Sequence, residues 1–304
     1  MTDPQPDFDP RPGVAEPVGP GLRRVLAPNP SPMTYRGTNT YLVGKRGLAV
    51  IDPGPDDGAH LQAILDAVQP GQMITHILVT HAHLDHSPLA RPLSARTGAP
   101  ILAFGPPDAG RSATMRRLAA QGNLSGGEGV DTGFAPDQTL QDGAFLDGDG
   151  WRIEALHLPG HMANHMGFAI GDTLFTGDLV MGWASSLISP PDGDLAAFMA
   201  SLDRLLSRDW MRFLPGHGAP VDDPAERTRA LRAHRRARES AIIAALASGP
   251  ASASALARSI YTDTPAALLP AASRNVLAHL LALYDTGAAR CEGPIRADAV
   301  FGLG

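Results

Sequence analysis

The chain has 304 residues, of which 43% are hydrophobic and 18% are charged, a composition typical of a soluble globular protein with one or two domains. Its formal net charge of −6 gives no overall electrostatic footprint for nucleic acid, and its single lysine is Lys45. The single cysteine, Cys291, excludes an internal disulfide and a cysteine-based zinc site. We find neither a signal peptide nor an apolar run long enough to span a membrane, so a cytoplasmic location is expected.

The first half of the chain predicts short strands alternating with helices. Residues 1–20 are expected to form a flexible tail, because six prolines there prevent regular backbone pairing. The strands and helices that follow are predicted by apolar spacing and by glycine or proline at their ends, with strands over 40–43, 48–51, 77–79 and 99–103 and helices over 57–68 and 88–97.

The most informative stretch is His81-Ala82-His83-Leu84-Asp85-His86, which follows the buried strand predicted at 77–79. Imidazole and carboxylate are the ligands that borderline divalent metals prefer. His81 and His83 are two residues apart, so on an extended segment they project to the same side. Asp85 and His86 come after the chain turns and can face a second ion nearby. The sequence therefore predicts a metal site where this strand ends.

Residues 105–150 have the weakest pattern in the chain. A helix is predicted over 112–121, and a glycine-rich segment over 122–133 follows it. Such a segment is either a mobile lid or a long surface insertion, and the sequence slightly favours the insertion. Regular spacing then returns, with strands predicted over 152–158, 167–170, 173–176 and 212–214 and a helix over 195–206.

Three further polar residues follow the ends of these later strands. They are His161, Asp178 and His217, and a glycine stands directly before each of them. Glycine permits a tight turn at the end of a strand. Because the same ends of neighbouring strands meet at one edge of a sheet, we expect these residues to join the histidine cluster.

The order of these motifs resembles the metallo-β-lactamase superfamily over about residues 20–223. The resemblance implies an α/β fold, namely a four-layer αβ/βα sandwich with a metal site at one edge. It implies that His81, His83 and His161 hold one metal ion, that Asp85, His86 and His217 hold a second, and that Asp178 bridges both. Ser87-Pro88 departs from the usual Gly-Gly of this family, so the next helix is expected to start differently.

The resemblance also assigns supporting roles. Asp52 matches a supporting aspartate and is expected to orient a ligand rather than bind metal. His165 is interpreted as a supporting residue of the same kind, with a substrate contact as the alternative. The stretch 37–44, Gly-Thr-Asn-Thr-Tyr-Leu-Val-Gly, resembles the lactamase-like endoribonucleases.

The chemistry implied is hydrolysis with two divalent ions, most simply Zn²⁺, with iron or manganese as alternatives. In this scheme a hydroxide that bridges the ions attacks the substrate. Asp85 both binds metal and accepts the proton of the attacking water, so it is the expected catalytic residue.

The C-terminal segment 224–304 predicts a small domain that resembles a winged helix. Helices are expected over 225–247, 254–261 and 270–285, followed by a ribbon to about residue 301. The first helix is rich in arginine, and the candidate substrate or nucleic-acid contacts on it are Arg227, Arg229, Arg232, Arg235 and Arg236. The alternative, which the sequence slightly favours, is a purely structural cap with a solvated basic face.

Four functions remain open from the sequence. A hydrolase of a small ester, thioester or lactone is slightly favoured, because the chain as a whole is acidic. An endoribonuclease acting on single-stranded RNA is the alternative, supported by the basic helix. A nucleic-acid-binding regulator is disfavoured because no metal ligand is missing, and a flavodiiron-like redox protein is disfavoured because no flavin-binding domain is visible. No membrane partner is expected, and the oligomeric state is open.

Overall fold

Two β-sheets face each other in the computed structural model, which describes residues 3–124 and 129–304. The predicted glycine-rich segment 122–133 therefore lies in part outside the described residues. The first sheet has seven strands in sequence order. They are β1 (Ala15–Gly19), β2 (Leu22–Leu26), β3 (Asn39–Val43), β4 (Gly47–Ile51), β5 (Met73–Leu78), β6 (Ile101–Ala103) and β7 (Gln138–Thr139).

The second sheet has five strands in the order β12-β11-β10-β9-β8. They are β8 (Ala144–Asp147), β9 (Arg152–His157), β10 (Met166–Ile170), β11 (Thr173–Gly177) and β12 (Arg212–Pro215). A third sheet of three short strands, in the order β13-β15-β14, lies in the C-terminal part. Its strands are β13 (Ala251–Ser252), β14 (Ala289–Cys291) and β15 (Val300–Leu303).

Seven α-helices pack around the sheets within the described residues. They are α1 (Gly58–Asp66), α2 (Ala90–Thr97), α3 (Ala113–Gln121), α4 (Leu195–Leu206), α5 (Pro224–Leu246), α6 (Ala253–Ile260) and α7 (Leu269–Asp285). Aspartate caps the first turn of α1, α4 and α5, and the proline of α5 stands in the first turn, where it costs no backbone hydrogen bond. Helix α2 starts at Ala90, two residues later than predicted. Leu89 provides no side-chain cap for it, and the Ser87 hydroxyl donates to Asp131 rather than capping the helix.

Successive side chains along a strand point to opposite faces of the sheet, and this alternation explains the layers. Tyr41 and Val43 of β3 face the second sheet and pack in one core with Phe168 and Phe175, whereas Leu42 faces outward onto a different core. That outer core contains buried residues of α1 and α2. On the far side, the second sheet packs against α4 in a third core. The order is therefore helix, sheet, sheet, helix, and the predicted four-layer αβ/βα sandwich is confirmed.

The N-terminal segment differs from the prediction of a flexible tail over residues 1–20. Residues 15–19 form β1, which pairs antiparallel with β2. Pro17 is compatible with this strand because β1 lies at the edge of the sheet, where a missing N–H leaves no neighbour unpaired. Phe8, only 8% exposed, lies against the guanidinium of Arg24 at 4.7 Å.

The C-terminal helices and ribbon form a core of their own, and the predicted winged-helix-like part is confirmed in outline. Helix α3 joins this core, since its Met115 and Leu118 pack with residues of α5, α6 and α7. The region 105–150 is thus not only a surface insertion, because its helix attaches the sandwich to the C-terminal part. The sequence analysis also missed β2, β7, β8 and β13. Strand β2 contains two arginines, and the other three are short and only partly buried or exposed, so their sequences carry little pattern.

One helical stretch, Ala266–Asp285, is long and apolar enough to cross a membrane by length and composition, contrary to our expectation that no such run exists. Its apolar side chains include Val276, Leu280 and Leu281, which are fully buried in the C-terminal core. We therefore interpret α7 as the central helix of that core.

Candidate metal centre

The predicted ligands come together because the strands before them are parallel. Strand β5 runs parallel to β4, and β11 runs parallel to β12, so each pair ends at the same edge of its sheet. His81 follows β5, Asp178 follows β11 and His217 follows β12 within two or three residues. The two sheets also touch at this edge, where Asn39 N donates to the Gly216 carbonyl at 2.8 Å.

Three imidazole nitrogens form the first half of the centre. His83 Nδ1 lies 3.0 Å from His81 Nε2 and 3.0 Å from His161 Nε2. Two nitrogen ligands of one tetrahedral Zn²⁺ ion, each about 2.0–2.1 Å from the metal, would lie roughly 3.3 Å apart. The three side chains therefore have the spacing of ligands of a single ion.

The second half contains two histidines and two carboxylates. His217 Nε2 lies 3.1 Å from Asp85 Oδ2 and 3.3 Å from Asp178 Oδ2. His86 Nε2 lies 3.3 Å from His217 Nε2 and 3.5 Å from Asp178 Oδ1. Asp178 Oδ2 is also 3.8 Å from His161 Nε2, so this carboxylate lies between the two halves.

The outer nitrogen of each of four histidines is held by a fixed acceptor. His161 Nδ1 donates to the Leu187 carbonyl at 2.6 Å, and His217 Nδ1 donates to the Gly37 carbonyl at 3.1 Å. His81 Nδ1 lies 2.9 Å from Thr80 Oγ1, and His86 Nδ1 lies 2.9 Å from Asp52 Oδ2. Because each Nδ1 is engaged outside, each Nε2 faces the centre, which is the arrangement of metal-binding histidines.

The residues fit divalent ions in three respects. In the first half, three imidazole nitrogens converge, with two of the distances between them at 3.0 Å, as nitrogen ligands of one ion do. Asp178 Oδ1 is buried with no hydrogen-bond partner among the described residues, as expected for an oxygen reserved for a metal. A Cβ on Gly216 would lie 2.6 Å from that oxygen and 2.7 Å from His86 Cε1, so only glycine leaves room for this geometry.

Asp52 acts from outside the cluster. It accepts from Thr80 N at 2.7 Å and Thr80 Oγ1 at 2.8 Å, besides its contact with His86. Its φ of +51° is unusual for a residue with a side chain, and it turns the carboxylate back under β5. Asp52 therefore contacts both His86 and the start of the loop that carries His81, without belonging to a group of potential ligands.

His165 lies beside the cluster but outside all three groups of potential ligands found among the described residues. Its Nε2 accepts from the backbone N of Asp178 at 3.2 Å. A Cβ on Gly177 would lie 2.7 Å from the same nitrogen, so the glycine before Asp178 is needed for this contact. His165 thus positions the Asp178 backbone, and it does not line the cavity described below.

The two halves differ electrostatically. Burial lowers the pKa of His83 to about 3, and burial also lowers the pKa values of His81 and His161, so these imidazoles are neutral at pH 7. Burial opposes protonation of His217 as well, but Asp178 and Asp85 outweigh it and raise its pKa to about 10. A metal ion entering this second half would displace such protons.

A cavity of about 590 Å³ opens from the cluster. His83, Asp85, His161 and Asp178 line its floor, as candidate ligands open to a substrate. Its walls are largely apolar and come from three parts of the chain, namely residues 32–34, the loop 181–187, and the C-terminal residues Tyr261, Thr264, Leu268, Ala271, Ala272 and Asn275. Met33 and Leu84 lie at this cavity with about half of their surface exposed, 47% and 50%.

The structure changes the interpretation of the arginine helix. Arg235 is 2% exposed and donates to the Ser186 carbonyl, and Arg227 donates to the carbonyls of Met181 at 2.7 Å and Ala184 at 2.6 Å. The prediction that these two contact substrate or nucleic acid is wrong, because their guanidinium groups bind backbone inside the protein. Arg232 pairs with Asp203 at 2.8 Å, and Arg229 and Arg236 are exposed.

Several residues of the site carry no distinctive sequence signal. Thr80 stands beside the histidine motif, and its hydroxyl links Asp52 to His81. Ser186 donates to the carbonyl of Asp178 at 2.5 Å, and Trp183 forms part of the cavity wall. Only the position of Thr80 next to the ligands could have been used to find it from the sequence.

Comparisons with known proteins agree with this architecture. Residues 33–236 match the metallo-beta-lactamase superfamily, and residues 252–294 match the beta-lactamase associated winged helix domain. A beta-lactamase domain protein from Burkholderia ambifaria has a TM-score of 0.80 at 23% identity, with 98% of this chain and 96% of that chain covered. A metallo-beta-lactamase family protein from Thermus thermophilus has a TM-score of 0.75 at 25% identity, with 95% and 100% covered.

The chain belongs to the metallo-β-lactamase superfamily, a family of metal-binding hydrolases, and carries that family's winged-helix domain at its C-terminal end. Among its relatives, a beta-lactamase-like protein 2 homolog of Drosophila melanogaster is 30% identical over 88% of this chain and 89% of its own length. An atrochrysone carboxyl ACP thioesterase of Claviceps purpurea is 32% identical over 76% of this chain and 67% of its own length.

Proposed function

We propose that the protein is a dinuclear metal-dependent hydrolase of acyl thioesters. The observation that carries the proposal is the largely apolar cavity of about 590 Å³ that ends on the His83, Asp85, His161 and Asp178 side chains. Cavities of this size and character bind small molecules with an apolar body and a few polar atoms. An acyl chain against the walls would leave its carbonyl at the cluster.

The roles of the residues follow from their positions. His81, His83 and His161 would hold one ion, His86, His217 and Asp85 would hold the other, and Asp178 would contact both. Two bound divalent ions lower the pKa of a shared water and polarise the substrate carbonyl. Asp85 lines the cavity, where its carboxylate would accept a proton from the water that replaces the thiolate on the acyl carbon.

Charge supports Asp85 as a metal ligand. Burial alone would raise the pKa of its carboxyl group, but His86 and His217 outweigh that effect and hold the pKa below its usual range. The carboxylate is therefore ionised and able to bind metal at neutral pH. Zinc is the simplest choice for five histidines and two carboxylates, since nitrogen and oxygen ligands suit it.

The choice of thioesters draws on the relatives. One relative at 32% identity is named as an acyl-carrier-protein thioesterase, and a second such enzyme, from Pseudocercospora fijiensis, is 31% identical over 77% of this chain. The apolar walls fit this chemistry better than they fit a polyanion. Cleavage of single-stranded RNA remains the competing function, for which Arg229 and Arg236 offer two exposed cations.

The test combines metal analysis with a substrate panel. Protein purified without chelator should contain about two divalent ions per chain, and it should hydrolyse octanoyl thioesters faster than acetyl thioesters of the same thiol. Chelation should abolish hydrolysis, and added metal should restore it. Full activity in metal-free protein would refute the proposal. Metal-dependent cleavage of single-stranded RNA without thioesterase activity would replace it with the nuclease.

A further inference from the structure

A single peptide unit joins the candidate ligand His161 to the C-terminal domain. The Leu187 carbonyl accepts from His161 Nδ1 at 2.6 Å. The nitrogen of the same peptide unit, Ile188 N, donates to Asn275 Oδ1 of α7 at 3.0 Å. Donation of the N–H group polarises the peptide and makes its carbonyl a better acceptor, so the two bonds reinforce each other.

Asn275 is itself held in place by Arg235. The Asn275 Oδ1 atom accepts a second hydrogen bond from Arg235 Nη1 at 3.1 Å. With two donors on the same oxygen, the amide has one favourable orientation, and rotation by half a turn would place its NH₂ group against both donors. Helices α5 and α7 therefore meet at one oxygen atom whose direction is fixed.

Burying the Arg235 guanidinium at this place costs free energy. Arg235 is 2% exposed, and it pairs with no carboxylate in the part of the chain that the structure describes. A buried cation without a counter-ion is unfavourable unless its N–H groups are satisfied. Arg235 Nη2 donates to the Ser186 carbonyl and its Nη1 donates to Asn275 Oδ1, whereas Nε has no hydrogen-bond partner among the described residues. The guanidinium also lies 5.2 Å from the centre of the Phe198 ring.

We propose that Asn275 and Arg235 are positioning residues for the metal ligand His161, acting through the 187–188 peptide. They hold the Leu187 carbonyl where it fixes the Nδ1–H form of the imidazole, so that His161 Nε2 faces His83 Nδ1 at 3.0 Å. The C-terminal domain thereby controls the affinity of one metal position, besides forming a wall of the cavity. This inference rests on the metal-binding part of the proposed function.

The experiment compares three variants of the full-length protein. Asn275→Leu removes the acceptor for both Ile188 N and Arg235. Asn275→Asp retains the acceptor and offers Arg235 a carboxylate, so it is the conservative rescue. Ser273→Ala is the control on the same helix, because among the described residues the Ser273 hydroxyl bonds the Leu269 carbonyl of its own helix.

Each variant is loaded with ¹¹³Cd²⁺, and each metal position is followed by its own NMR resonance during competition with a chelator. Asn275→Leu should lose about 10–100-fold in affinity at the position that contains His161, as is usual when a group supporting a metal ligand is removed. Asn275→Asp and Ser273→Ala should bind like the wild type. If Asn275→Leu does not fold, Asn275→Ala takes its place, and the same loss is expected because the fixed acceptor for Ile188 N and Arg235 Nη1 is gone.

Wild-type affinity at both positions in the Asn275→Leu variant would overturn the inference, as would an equal loss in Asn275→Asp. A wild-type protein that binds no metal at all would instead refute the proposed function. A wild type that binds metal and hydrolyses thioesters, together with an unaffected Asn275→Leu, would refute only the positioning role.

Discussion

Replacing Asp52 by asparagine tests whether the metal centre is held from outside by a charged acceptor. The Asp52 carboxylate accepts three hydrogen bonds, two of them on Oδ2 from Thr80 Oγ1 and His86 Nδ1. Asparagine tolerates the φ of +51° at this position, so the backbone need not change. The new NH₂ group must face at least one N–H or O–H donor whichever way the amide is turned.

The expected loss is at least one charge-assisted hydrogen bond, worth about 1.5–3 kcal/mol, together with weakening of the bonds that remain. We therefore expect the free energy of unfolding to fall by about 3 kcal/mol and Tm to fall by about 6–12 °C. The affinity of the metal position that contains His86 should fall about 10–100-fold, which corresponds to about 1.4–2.7 kcal/mol.

Thermal unfolding and chelator competition measure both effects in the same protein. Asp137→Asn is the matched control, since Asp137 also accepts from a backbone N–H and an arginine, at 2.9 and 2.7 Å, but lies away from the ligands. It should leave metal affinity unchanged and lower Tm less. A Tm shift in Asp52→Asn no larger than in the control, with unchanged metal affinity, would refute the reasoning.

The remaining predictions concern the bridging carboxylate, the cavity, the basic helix and acid stability. Asp178→Asn should lower kcat far more than His165→Ala, because it changes an atom shared by both metal positions rather than a backbone support; equal activity in Asp178→Asn and wild type would refute that assignment. Ala271→Trp should fill part of the cavity and lower kcat/KM for octanoyl thioesters more than for acetyl thioesters. The difference should be about fourfold for each methylene that no longer fits, and an equal loss for both substrates would be evidence against an acyl site. Replacing Arg229, Arg232 and Arg236 together by alanine should leave thioester kcat/KM intact, whereas an RNA-binding enzyme would show a log–log salt dependence flattened by roughly 0.7 per lost contact. Burial lowers the pKa of His60 to about 4, while the unfolded chain binds a proton near 6.5, so the stability linked to His60 is full above pH 6.5 and is lost as pH falls towards 4. Between pH 6.5 and 5 the wild type should therefore lose about 1.6 kcal/mol more than His60→Gln, and parallel urea-unfolding curves at the two pH values would contradict this.

The position of the candidate ligands at strand ends could be predicted from local features of the sequence, whereas their grouping into two metal positions was implied by the family resemblance and depends on the parallel pairing of the strands. A histidine or aspartate that follows a short apolar strand lies at the edge of the sheet, and a glycine beside it lets the chain turn there. The ligand cluster at residues 81–86 and the later ligands at 161, 178 and 217 are all of this kind, and the structure brings them together. Helix α4 was predicted with its observed bounds for a similar reason, since its apolar spacing is regular and Asp194 caps it.

The features that were wrong or missed depend on distant contacts. Counting charges on α5 predicts a solvated basic face, but Arg235 is buried by α7 and by the loop at 186, some 40 and 49 residues away in sequence. Prolines in residues 1–20 predict an irregular tail, but an edge strand accepts Pro17 once β2 is present to pair with it. Helix α3 carries only two buried apolar residues, so its attachment to the C-terminal core has almost no local signal.

The sandwich and the C-terminal domain contribute different parts of the site. Every candidate metal ligand lies between residues 81 and 217, whereas residues 261–275 form one wall of the cavity. Substitutions along that wall can therefore alter the fit of the acyl group without touching a ligand. Asn275 is the exception, because it lines the cavity and also holds the peptide that fixes His161. Under the proposed function, a substitution of Asn275 changes both the fit of the substrate and the affinity for metal. Exchanging the C-terminal domain between relatives to alter substrate specificity should therefore preserve metal binding only when Asn275 and Arg235 are retained.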